Sequence, residues 1–239
     1  MTKNLKTPKI VLAVFAHPDD MDFSSSGTIA KWAQKGATIT YLVCTNGNKG
    51  SDDPKMTSRK LALIRQKEQL EAAKILGVKD VIFLKHRDGE LVANLKLKEE
   101  ISKVIRKKKP DLVITLDPAF LYSTKRGFVN HSDHRAAGQA AIDSVFPLAR
   151  DRLNFLHHEK QGLAPHKVKT LLLVSFDNPE HFEDVTKTFE KKLKVLKIHK
   201  SQVADADSSF EKRIKERAKI LGKSGGFLYA EGFKRIELN

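Results

Sequence analysis

Histidine and aspartate gather in two short stretches. One is His17-Pro18-Asp19-Asp20, directly after the apolar run of residues 10–16; the other is Asn130-His131-Ser132-Asp133-His134, ahead of an alanine-rich helical pattern. Imidazoles and carboxylates are the ligands of hydrolytic zinc sites, which take three protein side chains and keep a fourth position for water. His17, Asp20 and His134 supply such a set. Asp19 then stands beside the ligands without being needed as one, and can accept a proton from the attacking water as a general base. His131 lies three residues before His134. If the Asp133 carboxylate holds it, the imidazolium is favoured and His131 can act as general acid or oxyanion partner. Each stretch also has a plainer reading: Asp19 or Asp20 could cap one helix, and Ser132 or Asp133 the next.

For the two stretches to meet, the elements before them must end at one edge. Apolar runs at residues 10–16, 38–45, 81–84, 112–117 and 168–176 read as buried strands. Helical patterns at 26–35, 57–76, 96–108 and 132–149 separate them. This alternation predicts an α/β fold, with a mostly parallel sheet covered by helices on both faces and right-handed crossovers. Gly77 and Pro110 punctuate two helix ends. Residues 151–166 lack periodicity and predict a surface loop, and charged helices at 183–202 and 210–221 predict a helical C-terminal extension, about residues 183–239. The chain, 1–239, thus reads as one domain. In open parallel sheets, sites form beyond the carboxyl ends of the strands, which is where both His/Asp stretches fall.

Composition narrows the function. With 40% hydrophobic and 31% charged residues the chain has the make-up of a soluble globular protein, and no apolar run approaches bilayer length. The N-terminus lacks a small-residue cleavage site, so a cytoplasmic location is expected. Cys44 is the single cysteine, which excludes an intrachain disulfide and a thiolate zinc cluster; its place at the end of an apolar run predicts a buried thiol. The net charge of +15 raises the possibility of a non-catalytic polyanion-binding protein. The lysines are scattered along helical stretches, however, and no nucleic-acid module is recognisable, so solvated faces and no nucleic-acid partner are expected. A serine hydrolase would need a G-x-S-x-G elbow between a strand and a helix, and a nicotinamide enzyme a G-x-G-x-x-G turn after the first strand; the G-x-S-x-G string at residues 222–226 follows a charged helical stretch rather than a strand, and no G-x-G-x-x-G turn is present.

With these residues in place, the sequence resembles the LmbE-like, or PIG-L-type, zinc-dependent deacetylases. The resemblance is carried by "AHPDDMDFSSSGTIAKWAQKGATITYLVCTNGNKG", "LALIRQKEQLEAAKILGV", "NHSDHRAAG", "PHKVKTLLL" and "YAEGF", in the family's order along nearly the whole chain. It implies a Rossmann-like three-layer sandwich, a zinc cofactor and hydrolysis of the N-acetyl group of an N-acetylglucosamine-type sugar. It makes His17, Asp20 and His134 the metal ligands, Asp19 the base, and His131 the acid and oxyanion partner tuned by Asp133. Arg65 matches an arginine that reaches substrate hydroxyl groups. A homo-oligomer, trimer or hexamer, is also implied. The "RDGEL" and "HKSQ" stretches are similar to those of archaeal deacetylases acting on chitin disaccharide, and deacetylases of thiol-cofactor glycosides are the alternative. Met21-Asp22, where many relatives carry Glu directly after the second Asp, blurs the substrate without touching the metal set.

Overall fold

All five apolar runs become strands of one sheet in the computed structural model, which describes residues 5–124, 126–203 and 208–239. The first half alternates regularly: β1 (Ile10–Phe15), α1 (Asp20–Gln34), β2 (Thr38–Thr45), α2 (Ser58–Leu76), β3 (Asp80–His86), α3 (Leu95–Lys108) and β4 (Leu112–Leu116). A short antiparallel pair of two-residue strands, β5 (Tyr122–Ser123) and β6 (Phe128–Val129), leads to α4 (Ser132–Asp143), which runs into a π-helical turn at Ser144–Leu148. Then come α5 (His157–Lys160), β7 (Thr170–Val174), β8 (His181–Asp184), α6 (Phe189–Leu196), α7 (Ser208–Gly225) and β9 (Ala230–Glu237).

The sheet order is β3-β2-β1-β4-β7-β9-β8. The first five strands are parallel, whereas β9 pairs antiparallel with both β7 and β8. Because β1 is flanked by β2 on one side and β4 on the other, crossovers leave it in opposite directions. That reversal opens a crevice beyond its carboxyl end, and both His/Asp stretches enter there. Alternating side chains of β1 feed two cores. Val11, Ala13 and Phe15 pack with Trp32, Ile39, Tyr41 and Leu76, while Leu12 and Val14 pack with Leu97, Ile101, Ile105 and Ala141. Burying a large aliphatic or aromatic side chain on either face stabilises the sheet by about 1.5–3 kcal/mol. Cys44 is fully buried, and burial pushes its thiol pKa up, so it is an inert core residue.

Two departures from the sequence expectation have physical causes. Helix α1 begins at Asp20, well before the periodic stretch, where the Asp19 carbonyl accepts from the Asp22 and Phe23 N–H groups; Ser24, Ser25 and Ser26 are accommodated there by folding their hydroxyls back onto the carbonyls of Asp20, Met21 and Asp22 at 2.6, 3.1 and 2.6 Å. The C-terminal extension is helical only in part, for it also contributes β8 and β9 to the sheet. Glu231, within "YAEGF" at the start of β9, is buried and accepts from the mid-helix N–H groups of Gly27 and Thr28 at 3.0 and 2.8 Å. The extension is thereby tied to the helix that carries Asp20.

Candidate active site

The loop after β1 is held by strain and by hydrogen bonds together. Asp19 has φ of 95°, a conformation that a non-glycine residue adopts only when its surroundings enforce it. Its N–H donates to Gln69 Oε1 at 2.8 Å, and its carbonyl accepts from Asp22 and Phe23, opening α1. Asp20 is the first residue of that helix, and its Oδ2 accepts the His17 N–H at 2.8 Å. The same carboxylate faces two imidazoles: His17 Nδ1 at 3.4 Å from Oδ2 and His134 Nε2 at 3.1 Å from Oδ1. Donor atoms of His17, Asp20 and His134 lie within 4.8 Å of one another.

A second convergence shares His17. Its Nε2 lies 3.2 Å from Asp88 Oδ1, and His131 Nε2 is 3.9 Å from that oxygen. Two observations favour the first set as the metal centre. Its two imidazoles flank a single carboxylate, at 3.4 Å from Asp20 Oδ2 and 3.1 Å from Asp20 Oδ1, whereas in the second set His131 stands 3.9 Å from Asp88 Oδ1. It also has outer partners that orient each ring, since His17 Nε2 faces Asp133 Oδ2 at 3.2 Å and His134 Nδ1 faces Asn130 Oδ1 at 3.0 Å. A cavity of about 300 Å³ reaches Asp19, Asp20 and His134 from the solvent side, with Phe23, Phe128 and Phe176 among its walls. The donor set therefore fits a borderline divalent cation such as zinc. Burial opposes charge on His17, yet Asp20, Asp133 and Asp88 raise its pKa to about 12; this nest of carboxylates attracts a cation.

Asp133 differs from expectation in what it holds. Its carboxylate accepts from Gly89 N–H at 2.7 Å and faces His17 Nε2, while His131 Nδ1 stands 4.0 Å from it. His131 instead caps α4, its Nδ1 accepting the Asp133 backbone N–H at 3.1 Å. That bond leaves the ring proton of neutral His131 on Nε2. Burial and the neighbouring His17 lower the His131 pKa, which favours the neutral ring.

Arg65 is turned inward. It is 4% exposed, and its guanidinium donates to Pro18 O at 2.7 Å, Asp19 Oδ1 at 3.1 Å and Gly47 O at 3.1 Å. Burial pushes Asp19 up to about 6 while Arg65 pulls it back, a range suited to a base that must gain and lose a proton near neutrality. Behind this pair, Gln69 Nε2 donates to Asp22 Oδ2 at 3.0 Å, and His199 Nε2 meets the same oxygen at 2.7 Å. Asp22 and His199 are both buried. Burial opposes the charge on His199, but its bond to Asp22 and the charge there outweigh this and raise its pKa. The stabilisation is accordingly full below the unfolded value of about 6.5 and is lost as pH rises through the raised folded value. His199→Ala should cost about 3 kcal/mol at about pH 6 and less at about pH 9, as measured by urea unfolding; an equal cost at both would remove the charged pair.

Asp88, Asn130, Gln69, Asp22 and His199 escaped the sequence reading as site residues. Asp88 follows a strand, as His17 does, and that same rule would have flagged it. Gln69 and Arg65 interrupt the buried face of α2 formed by Leu61, Ala72, Ala73 and Leu76, and polar residues on such a stripe are a signal in themselves.

Comparison with known proteins bears on this geometry. Residues 12–145 match the family model described as PIG-L, GlcNAc-PI de-N-acetylase. The chain belongs to this family. Among PIG-L relatives, it is 34% identical over 229 residues to the diacetylchitobiose deacetylase of Thermococcus kodakarensis, covering 95% of this chain and 83% of that one. It is 28% identical over 238 residues to a probable N-acetyl-alpha-D-glucosaminyl L-malate deacetylase 2 of Bacillus anthracis, covering 94% and 97%. Its fold superposes on the N,N'-diacetylchitobiose deacetylase from Pyrococcus horikoshii, in complex with an inhibitor, with a TM-score of 0.89 at 32% identity, covering 96% and 84%. No helix among the described residues is long and apolar enough to cross a membrane.

Proposed function

We propose that the chain is a zinc-dependent amidohydrolase that removes the N-acetyl group from an N-acetylglucosamine-type sugar, a chito-oligosaccharide or a GlcNAc conjugate. The observation that carries this reading is the convergence of His17, Asp20 and His134 within 4.8 Å, open to a cavity that Asp19 also lines, in a PIG-L family member. His17, Asp20 and His134 would hold the ion. It supplies Lewis acidity, polarising the acetamide carbonyl and making water acidic enough to attack near neutral pH.

Asp19 takes the proton of the attacking water, held for that purpose by Arg65 and by its own anchored backbone. As the carbonyl carbon becomes tetrahedral, His131 offers its Nε2–H to the developing oxyanion; its side chain is 43% exposed and so open to a substrate. Asp133 and Asp88 act through His17, fixing its ring. When the C–N bond breaks, the departing amine nitrogen needs a proton, and the one gained by Asp19 balances the reaction to acetate and free amine.

Arg65 has two assignable roles that kinetics separates. Its contacts support positioning of Asp19, so Arg65→Lys should lower kcat by roughly 10–100-fold with little change in KM. A raised KM with wild-type kcat would return it to the substrate hydroxyls. The sugar is tested by acetate release from N,N'-diacetylchitobiose, N-acetylglucosamine and N-acetylglucosaminyl malate with zinc present. N,N'-Diacetylchitobiose is expected to be the best of the three, in line with the similarity to the Thermococcus protein. Preference for the malate conjugate would select the alternative, a deacetylase of thiol-cofactor glycosides, and silence on all three would refute the reading. A homo-oligomer, trimer or hexamer, belongs to this reading through the family resemblance alone, and sedimentation of the purified protein tests it.

A further inference from the structure

Glu99 lies on the first turns of α3, and His157 and His158 open α5. Their donor atoms lie within 4.8 Å of one another, and none belongs to the site described above. His157 Nε2 is 2.6 Å from Glu99 Oε1, and His158 Nε2 is 3.5 Å from the same oxygen. His158 is fully buried, yet among the described residues neither of its ring nitrogens makes a hydrogen bond. A buried imidazole with both nitrogens unsatisfied is costly and demands a partner. Nothing in the deacetylase chemistry uses it.

We propose that Glu99, His157 and His158 form a second metal site, for a divalent transition ion such as zinc, nickel or cobalt. Two imidazoles and one carboxylate suit these ions rather than magnesium or calcium, which favour all-oxygen shells. The separations of 2.6 and 3.5 Å lie either side of the roughly 3.3 Å expected between ligands of a tetrahedral ion. His157 is half exposed and can yield the difference by a small movement of its side chain. The surroundings are already organised, for Arg106 of α3 donates to the carbonyls of Leu148, Ala149, Asp151 and Asn154 in the segment leading to α5. An ion at Glu99 would fasten the far end of that segment to the same helix. The site is structural in kind, a clamp between α3 and the turns after α4.

The test is a cobalt titration of the metal-free full-length protein, followed by visible absorption and equilibrium dialysis at micromolar free ion. Two equivalents are expected, one falling away in His157→Ala and in Glu99→Gln, with acetate release unchanged in both. Both substitutions are at solvent-accessible side chains, and circular dichroism checks the fold. Binding that survives both substitutions undiminished overturns the proposal. Loss of cobalt from the wild type's single equivalent on His157→Ala would uphold this site while removing the catalytic one, so the two failures are distinct.

Discussion

Asp19→Asn lowers kcat by roughly 10²–10⁴-fold and leaves the bound metal in place. Asparagine is the informative substitution because it keeps the shape of the side chain and tolerates a positive φ, so the strained backbone at 95° survives. The anchor from its N–H to Gln69 survives too, since it is a backbone bond. What disappears is the capacity to take a proton. Arg65 would still find an oxygen at that position, so the buried guanidinium is not orphaned. Steady-state kinetics with metal analysis checks the result, and wild-type turnover in this variant would take Asp19 out of the mechanism.

Asp20→Ala has the largest expected effect. This carboxylate is the element common to both imidazole contacts, at 3.4 Å from His17 and 3.1 Å from His134, and it also caps the His17 N–H. Its removal leaves two imidazoles without the anionic ligand between them. Metal affinity at this centre should fall by more than the roughly 10–100-fold that follows loss of an outer partner, and deacetylation should drop to background. Asp133→Asn calibrates the comparison, because Asp133 touches His17 from the far side and should cost only that smaller factor. Dialysis against zinc followed by elemental analysis reads both; equal affinities for the two variants would move the metal away from Asp20.

The core strands were legible because a parallel sheet covered on both faces requires continuous apolar runs, as in Ile10–Phe15 and Leu112–Leu116. β8 and β9 were not, since "HFED" has only four residues and "AEGFKRIE", though eight long and paired on both sides, carries four charged residues, so neither reads as an apolar run. The structure brings His17, Asp20 and His134 together as the strand-end argument expects, because histidine and aspartate at such positions have few inexpensive structural uses. Side-chain direction was beyond the sequence. Asp133 turns to His17 because Gly89 and Leu91, forty-odd residues away, offer their N–H groups to it. Arg65 points inward because the bend at Pro18-Asp19 and the Gly47 carbonyl lie under that face of α2. Such contacts are set by tertiary packing, which periodicity reports only as a face.

The most direct measurement is acetate release from N,N'-diacetylchitobiose by protein stripped of metal with a chelator and then reloaded with zinc. Activity lost on stripping and restored by zinc in the wild type, but not in Asp20→Ala, is the predicted outcome. Release at an unchanged rate by the stripped protein would contradict a metal-dependent site between the two loops.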